Sequence, residues 1–338
     1  MTQHSSHDQR PLVTFALFAY NQEKYICEAV DGALGQTYSP LEIIISDDCS
    51  IDRTFDLIKE KAARYEGLSS LKINRNDRNL GIASHINKIV GLARGEIVVV
   101  AAGDDISMPE RTSEIVRLFS NNKQCMGVYS CVLRIDENGT SLGIFCSKNQ
   151  TSREDLVMAV KKFCPGLLGA SHAWRREVFD FFGPLHPRVI TEDRVLPLRE
   201  VLLGEICEIP HPLVRYRIHE FGISQQKKRW TYNEYFRYNS KMWKQTTAAL
   251  WSYKKDLIKY SKSFDSISEL EITDAIKSVN FSMKKAVICW NFYSMHDVFH
   301  QLKLIVSWMI LTRDYKQSLR FLAARFFSGL YFSKIERK

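Results

Sequence analysis

The sequence lacks two features that would place the protein in or across a membrane. No apolar stretch in its 338 residues approaches the roughly 20 residues that span a bilayer. The most apolar stretch, Leu304 to Leu311, is bounded by Lys303 and Arg313. The start, Met1 to Pro11, is polar and lacks the apolar core of a signal peptide. We therefore expect neither a transmembrane segment nor export, and a cytoplasmic location.

Cysteine and glycine patterns that mark other protein classes are also missing. The eight cysteines form no CxxC pair and no Cys/His cluster with zinc spacing. We interpret them as reduced, mostly packing residues of a cytosolic protein. No G-x-G-x-x-G follows the first predicted strand, which argues against a nicotinamide-cofactor oxidoreductase.

The charge is unevenly distributed along the chain. Residues 225–338 carry 21 Lys+Arg and 9 Asp+Glu, a net of +12, whereas residues 1–224 carry 26 and 29, a net of −3. A basic excess favours anionic lipid headgroups, nucleic acid or an anionic substrate. Because the basic region reads as helices without a nucleic-acid-binding motif, we expect no nucleic-acid partner.

The N-terminal half alternates short β-branched strands with amphipathic helices, the pattern of an α/β fold with a mostly parallel sheet and helices on both faces. The predicted strands are Val13–Ala19, Leu41–Ser46, Leu71–Asn74, Glu96–Ala102 and Met126–Ile135, and the predicted helices are Ile26–Leu34, Thr54–Tyr65, Ile82–Leu92 and Pro109–Ser120. Residues 136–171 read as loops. Helices near Trp174–Phe181 and at Glu192–Leu203 follow, then short strands at Cys207–Pro210 and Leu213–Ile218. Beyond residue 225 the sequence predicts long, Lys-rich and aromatic-rich helices.

Two acidic pairs stand directly after predicted buried strands. Asp47-Asp48 follows Leu41–Ser46, and Asp104-Asp105 comes shortly after Glu96–Ala102. Ligands of open α/β sheets bind at the carboxyl ends of the strands, and neighbouring carboxylates repel unless a cation or a polyhydroxyl ligand compensates them. The alternative is an exposed turn or a helix cap, which Asp also favours.

A series of short motifs, in order, resembles one enzyme family. The motifs are Tyr20-Asn21-Gln22-Glu23, Gly35-Gln36-Thr37-Tyr38, Asp47-Asp48-Cys49-Ser50-Ile51-Asp52-Arg53-Thr54, Asn79-Leu80-Gly81, Gly103-Asp104-Asp105-Ile106, Thr191-Glu192-Asp193 and Val214-Arg215-Tyr216-Arg217-Ile218-His219. Together they resemble the family 2 glycosyltransferases of the GT-A fold. The resemblance covers residues 11–224, which we take as a GT-A glycosyltransferase domain, with residues 225–338 as a basic, helical C-terminal region.

The resemblance implies a donor site built on a divalent metal, Mn²⁺ or Mg²⁺. Such a cation stabilises the departing diphosphate while one or two carboxylates hold it. The implied roles are metal ligation by Asp105, ribose contact by Asp104, base contact by Asp48, and walls of the base pocket at Ala19 and Tyr20. Arg78 would approach the base or the diphosphate; the alternative is a solvated loop arginine.

The resemblance also supplies an acceptor-side carboxylate. The acceptor hydroxyl must lose a proton as it attacks the anomeric carbon, and Asp193 is the candidate general base. Glu192 would orient the acceptor or help cap the helix. The alternative is that both residues only begin a helix after Thr191 and interact with its dipole. A single displacement of this kind inverts the anomeric centre.

Three positions depart from the usual family pattern. Ala102 stands where an acidic residue is common, which implies weaker metal binding or assistance from His219. His219 is a metal ligand in some relatives; the alternative is a packing or hydrogen-bonding histidine. Cys49 and Ile51 replace the usual Gly and Thr in the donor loop.

The C-terminal region carries two further signals. Gln226 to Trp230 matches the Q-x-x-R-W signature of processive polysaccharide synthases, which thread their polymer through transmembrane helices that this sequence lacks. An apolar stripe with nearby arginines predicts an amphipathic helix that binds a membrane surface or packs within the protein. Its members are Leu319, Leu322, Ala323, Phe326, Phe327 and Leu330.

The sequence thus predicts an inverting, metal-dependent glycosyltransferase that uses a nucleotide sugar, with a uridine diphosphate sugar favoured. Its acceptor would be a hydroxyl of a growing glycan, plausibly a lipid-linked bacterial surface polysaccharide, reached through peripheral contact with an anionic membrane. The alternatives are a catalytically weak glycan- or membrane-binding subunit that keeps the fold, and a processive polysaccharide synthase.

Overall fold

The structure is a computed structural model that describes residues 10–147, 160, 167–220, 222, 231–264, 269–294 and 297–326. The chain divides into two compact units. The sheet unit comprises residues 1–159, 163–187 and 192–219, and the helical unit comprises residues 160–162, 188–191 and 220–338.

The sheet unit is built on one sheet with the strand order β3-β2-β1-β4-β8-β6-β9-β5, and β7 pairs with β6 outside that order. The strands are β1 (Val13–Ala19), β2 (Leu41–Asp47), β3 (Ser70–Arg75), β4 (Ile97–Ala102), β5 (Ile106–Ser107), β6 (Cys125–Ile135), β7 (Ser141–Phe145), β8 (Ala173–Arg175) and β9 (Glu205–Arg217). The helices are α1 (Ile26–Leu34), α2 (Thr54–Ala62), α3 (Ile82–Leu92), α4 (Arg111–Asn121), α5 (Glu177–Phe182) and α6 (Glu192–Leu203). A short 3₁₀ turn spans Gly169–Ser171.

The predicted α/β fold with a mostly parallel sheet is confirmed. The long pairings β1–β2, β1–β4, β2–β3 and β6–β9 are parallel, whereas the antiparallel pairings involve the short strands β5, β7 and β8. Buried on both faces, β2 has the continuous β-branched run that a central parallel strand requires. In register, Ala19 lies beside Asp47 and Phe18 beside Ala102, so the loops after β1, β2 and β4 leave the sheet at one edge.

Three local predictions are wrong. Trp174 lies in strand β8, and the helix placed there begins only at Glu177. The predicted loop stretch contains strand β7, which pairs with β6. The two short strands expected after α6 are one strand, β9, whose register against β6 shifts near Pro212. Each error concerns an element that is stabilised by pairing with a strand distant in the sequence. The local sequence of such an element carries little hydrophobic periodicity from which it could be predicted.

The interpretation of all cysteines as reduced is also wrong. Cys131 and Cys146 form a disulfide, with their Cα atoms 4.3 Å apart. The antiparallel pairing of β6 with β7 sets Val132 opposite Phe145, and this brings the two neighbouring sulfurs together. The sequence separation of 15 residues gave no sign of this pairing, because it depends on the hairpin.

The helical unit contains α7 (Tyr232–Ser263), α8 (Glu269–Ser294), α9 (Val298–Thr312) and α10 (Tyr315–Phe326). Helix α7 begins with a capping box between Thr231 and Glu234. Residues from all four helices form a core, namely Phe236, Cys289, Phe292, Tyr293, Ile305, Trp308 and Phe321. None of the described helices is both long and apolar enough to cross a membrane.

The apolar stripe predicted near the C-terminus divides between core and surface. Leu322 packs against the helical core, whereas Leu319 is 64% exposed. Ala323 and Phe326 lie in α10, and Phe327 and Leu330 fall outside the described residues, as does the Q-x-x-R-W motif. Among the side chains of α10 whose burial the structure describes, the most buried apolar one is Phe321, which is not part of the predicted stripe.

Candidate active site

Two loops at the carboxyl edge of the sheet are joined by side chain to backbone hydrogen bonds. Asn21 N donates to Ser50 Oγ at 2.8 Å, and Ile51 N donates back to Asn21 Oδ1 at 3.0 Å. Gln22 N donates to Thr54 Oγ1 at 2.7 Å. These hydrogen bonds join the loop after β1, which carries the Tyr-Asn motif, to the loop after β2, which carries the Asp-Asp motif. Each loop therefore stabilises the conformation of the other.

The turn after β2 owes its shape to the first acid of the pair. Asp47 is fully buried and accepts hydrogen bonds from the Ser50 backbone N–H and hydroxyl. Cys49 within this turn has φ 66°, in the left-handed region that favours glycine. The usual family glycine at this position is thus explained by backbone conformation.

Asp48 points at the loop that follows β3. Its carboxylate accepts from Asn76 Nδ2 at 2.7 Å, from Leu80 N at 2.9 Å and from Gly81 N at 3.0 Å. The Asp48 backbone N–H donates to Ala19 O at 2.8 Å. The structure thus brings Asp48 and Ala19 together, beside the half-exposed Tyr20. Arg78 lies exposed in the loop that Asp48 fixes.

The end of β4 meets the end of β9. Gly103 N donates to Phe18 O at 2.8 Å, and a Cβ at Gly103 would lie 2.4 Å from Gln22 Oε1, so the chain passes too close for a side chain. Beyond it, Asp104 Oδ2 lies 3.0 Å from His219 Nε2, and Asp105 Oδ1 accepts from the Arg217 backbone N–H at 2.8 Å. The fold therefore brings Arg217 and His219 to Asp104 and Asp105, although the two pairs are separated by more than 100 residues in the sequence.

The electrostatics of this cluster are those of a cation site. Asp105 is buried, and its pKa is raised well above the usual range by that burial and by the negative charge of Asp104. A divalent cation would remove this cost, and two carboxylates with one imidazole are a donor set that suits Mn²⁺. The residue types suit such an ion, but the ligand atoms of Asp104, Asp105 and His219 do not all lie within 4.8 Å of one another, so they do not form a closed three-ligand site in this structure. Among the described residues, three ligand atoms of Cys, His, Asp or Glu lie within 4.8 Å of one another only at Cys131, Cys146 and Glu208, where two sulfurs already form the disulfide.

Two buried arginines that sequence reasoning missed support the cluster. Arg217 donates to the backbone oxygens of Asp104, Asp136 and Glu137, reaches Glu28 Oε2 at 3.1 Å, and lies over the ring of Tyr25. Its positive charge favours the ionised form of the neighbouring carboxyl groups. In the sequence, Arg217 was marked only by its place in the motif that runs from Val214 to His219.

The second arginine connects the cation cluster to the acceptor side. Arg111, fully buried, donates to Val100 O at 2.7 Å and to Ala170 O at 3.0 Å, and its charge acts on Asp105. The 3₁₀ turn containing Ala170 is thereby fixed beside β4. The position of Arg111 in the first turn of α4 gave no indication from the sequence that it would bond to this turn.

Glu192 and Asp193 begin α6 next to that same turn. A Cβ on Gly169 would lie 3.1 Å from Glu192 Oε1 and 3.6 Å from Asp193 Cβ, which shows how closely the turn and the helix approach. Burial and the charge of Asp193 raise the pKa of Glu192 to about 8. Burial also raises the pKa of Asp193, opposed by the nearby positive charge of Arg194. Burial thus raises the pKa of both carboxyl groups, and Glu192, with a pKa of about 8, is mostly protonated at neutral pH.

Comparison with known proteins agrees with this arrangement. Residues 14–180 match the family model described as Glycosyl transferase family 2. An uncharacterized protein of Mycobacterium bovis is 31% identical over 207 residues, which cover 61% of this chain and 58% of that protein. An uncharacterized glycosyltransferase of Methanocaldococcus jannaschii is 33% identical over 138 residues, 40% of this chain and 47% of its own. The match thus spans about half the length of these relatives.

Solved structures share the fold at low sequence identity. The mannosyltransferase PcManGT from Pyrobaculum calidifontis, in complex with GDP-Man and Mn²⁺, has a TM-score of 0.53 at 16% identity, over 96% of this chain and 88% of its own. TarS of S. aureus in complex with UDP has a TM-score of 0.57 at 13% identity, over 96% and 90%. The fold is GT-A, and residues 14–180 form a glycosyltransferase family 2 domain.

Proposed function

We propose that the protein is an inverting, metal-dependent glycosyltransferase that moves a sugar from a nucleoside diphosphate donor to a hydroxyl of a growing glycan. The observation that carries this proposal is that two carboxylate pairs are each tied to strand β4, one directly and one through a turn. Asp104-Asp105 follows β4, and Glu192-Asp193 lies against the turn that Arg111 attaches to β4. One pair suits the leaving diphosphate and the other suits the attacking hydroxyl.

On the donor side, Asp105 would hold the divalent ion with assistance from His219, and Asp104, whose Oδ2 lies 3.0 Å from His219 Nε2, would contact the ribose of the donor. When bound, that ion would offset the negative charge that develops on the departing diphosphate. The loop around Arg78, fixed by Asp48, would approach the nucleotide, with Ala19 and Tyr20 beside the base. Asp48 Oδ2 accepts one described hydrogen bond, so it retains capacity for a base N–H. Because TarS was solved with UDP, a uridine nucleotide is the first donor to test.

On the acceptor side, Asp193 would take the proton of the attacking hydroxyl. Glu192, protonated at neutral pH, would donate a hydrogen bond to a second oxygen of the acceptor and orient it. No covalent enzyme intermediate is needed, so the anomeric centre inverts. A lipid-linked acceptor for a surface polysaccharide would bring the enzyme to the inner face of a membrane.

A pair of isosteric variants tests the assignment of the base. We expect Asp193→Asn to lower kcat by about 100-fold or more with little change in donor affinity, because an amide cannot accept the proton. The matched variant Glu192→Gln should lose far less at pH 7, since Glu192 is already neutral there. The measurement is release of UDP from a panel of UDP-sugars with Mn²⁺, paired with calorimetric titration of UDP.

The outcomes separate the parts of the proposal. If Glu192→Gln abolishes turnover while Asp193→Asn retains it, the roles of the two acids are reversed. If the wild-type protein neither binds nor hydrolyses any nucleotide sugar in the presence of metal, it is a binding subunit that keeps the fold, and the proposed activity is wrong.

A further inference from the structure

Helix α9 presents apolar side chains on two opposite faces. One face packs into the helical core through Ile305 and Trp308, which are 3% and 6% exposed. On the same side, Gln301 donates from within the core to Phe292 O at 2.9 Å. The opposite side is the outer face of α9, formed by Phe299, Leu302, Val306 and Ile310, which are 77%, 37%, 54% and 76% exposed.

The spacing places these four residues on one stripe. They stand at i, i+3, i+7 and i+11, the repeat that brings side chains to one side of a helix. Isolated apolar residues on a surface need no explanation, but a continuous row on a helix whose other side is already buried does. Leu319 at the start of the next helix, 64% exposed, is a fifth large apolar side chain in this part of the chain.

Exposed basic residues accompany this apolar row in the sequence. Lys303 lies on α9 next to it, and Arg313, Lys316 and Arg320 are exposed in the following turn and helix. The two acidic residues within 297–326 accept hydrogen bonds at the N-termini of helices. Asp297 accepts from the backbone N–H groups of Phe299 and His300, and Asp314 accepts from Gln317 N. The combination is an apolar stripe bordered by cations.

We propose that the outer face of α9 docks on the surface of a bilayer that contains anionic lipids. A helix of 15 residues is about 22 Å long, too short to cross the hydrocarbon core of about 30 Å. It can lie in the interfacial plane, with Phe299 and Ile310 among the acyl chains and the lysine and arginines at the headgroups. The strong positive charge of residues 225–338 adds long-range attraction to the same surface.

Charge complementarity favours a lipid surface over a second copy of this chain. A two-fold contact through the outer face of α9 would set the same patch against itself. Lys303, near the middle of α9, would then lie close to the same lysine of the other copy, which opposes association. An anionic membrane offers an apolar phase and the opposite charge together.

Substitution of the two most exposed apolar residues on the outer face of α9 tests the proposal directly. We expect the full-length variant Phe299→Ser/Ile310→Ser to partition at least 10-fold more weakly than wild type onto vesicles of phosphatidylglycerol and phosphatidylcholine in a sedimentation assay. Since both side chains are exposed, circular dichroism and thermal unfolding should match wild type. The control is Leu270→Ser, which removes an apolar residue that is 69% exposed on α8 and should bind as wild type does.

A second pair of variants tests the charge requirement. Lys303→Gln/Arg320→Gln should weaken binding to the anionic vesicles several-fold, and raising the salt concentration should have the same effect. The control is Lys277→Gln, because Lys277 is exposed on α8 but paired with Asp274 at 2.9 Å. Vesicles of phosphatidylcholine alone should bind wild type no better than they bind the Lys303→Gln/Arg320→Gln variant.

Three results would overturn the proposal. They are an absence of vesicle binding by the wild type, an equal loss of binding in Leu270→Ser, and a wild-type dimer in sedimentation equilibrium that Phe299→Ser/Ile310→Ser abolishes while vesicles bind neither protein. The last result would assign the face to a second copy. None of these readouts uses catalytic activity, so the docking surface stands or fails independently of the proposed glycosyltransfer.

Discussion

Cys49 occupies a backbone position that suits glycine. Its φ of 66° lies in the left-handed region, which costs a side chain with a Cβ about 1–2 kcal/mol. The turn keeps this conformation because Asp47 binds both the backbone and the hydroxyl of Ser50, one residue further on. The departure from the family pattern therefore changes local strain and leaves the carboxylate that follows β2 in place.

Two substitutions at this position separate strain from loss of the thiol. We expect Cys49→Gly to be more stable than Cys49→Ala by about 1 kcal/mol in urea unfolding, because both remove the sulfur but only glycine relieves the left-handed Cβ. Equal stability of the two variants, or a more stable alanine variant, would show that the turn is not strained at residue 49.

The residues of the site differ in how far sequence could assign them. Asp48, Asp104 and Asp105 could be proposed from the sequence because short apolar strands end beside them. Arg111 and Arg217 were not found, because their importance lies in distant contacts, with Ala170 and with the backbone of Asp104 respectively. A single arginine in a helix or strand gives no pattern from which such a contact can be predicted.

Among the elements, prediction succeeded where a segment determines its own structure. The bounds of α1, α3 and α6 agree with the structure, since apolar periodicity and chain breakers mark them locally. Strands β7 and β8 were missed because each has at most five residues and exists by pairing with β6 or β4. Trp174, read as helical, is buried by that pairing.

Helix α10 allows a prediction at the scale of an element. Phe321 is 1% exposed and packs against Phe292 and Trp308, with ring centroids 4.5 Å and 5.4 Å away. We expect Phe321→Ala to destabilise the helical unit by about 3–5 kcal/mol, as large-to-small changes in cores do. Leu319→Ala, on the exposed side of the same helix, should stay within about 0.5 kcal/mol of wild type.

Hydrogen exchange can localise that effect. Amides of α9 and α10 should exchange faster in Phe321→Ala, while those of β1 and β2 keep their protection. Unchanged exchange in α9 and α10 would mean that Phe321 does not hold the helical core together. The matched leucine variant controls for the loss of helix-forming side chains from α10.

At the scale of the whole molecule, the acidic and basic halves of the sequence suit different partners. The sheet unit places its carboxylates at one edge, where a metal ion must compensate them before an anionic donor can approach. The positive charge is concentrated in residues 225–338, away in sequence from the donor motifs. This division is consistent with the proposals of donor chemistry in the sheet unit and of membrane attraction in the helical region.

Ligand-linked stability of the whole protein provides the last test. Asp105→Asn keeps an acceptor for the Arg217 backbone N–H and removes the charge that a cation would bind. With Mn²⁺ and UDP at about 100 times its dissociation constant, wild type should gain about 2.7 kcal/mol, or about 5–10 °C in Tm. Asp105→Asn should gain less than about 2 °C under the same conditions, because it lacks that charge.

The ligand-free variant separates loss of binding from loss of folding. Because burial and Asp104 raise the pKa of Asp105, removing its charge should leave the ligand-free protein at least as stable as wild type. Asp180→Ala, an exposed acid of the same unit that pairs with Arg176, should keep the full ligand-induced rise. A full rise in Tm in Asp105→Asn would remove Asp105 from the cation site and show that the ion is held by other residues.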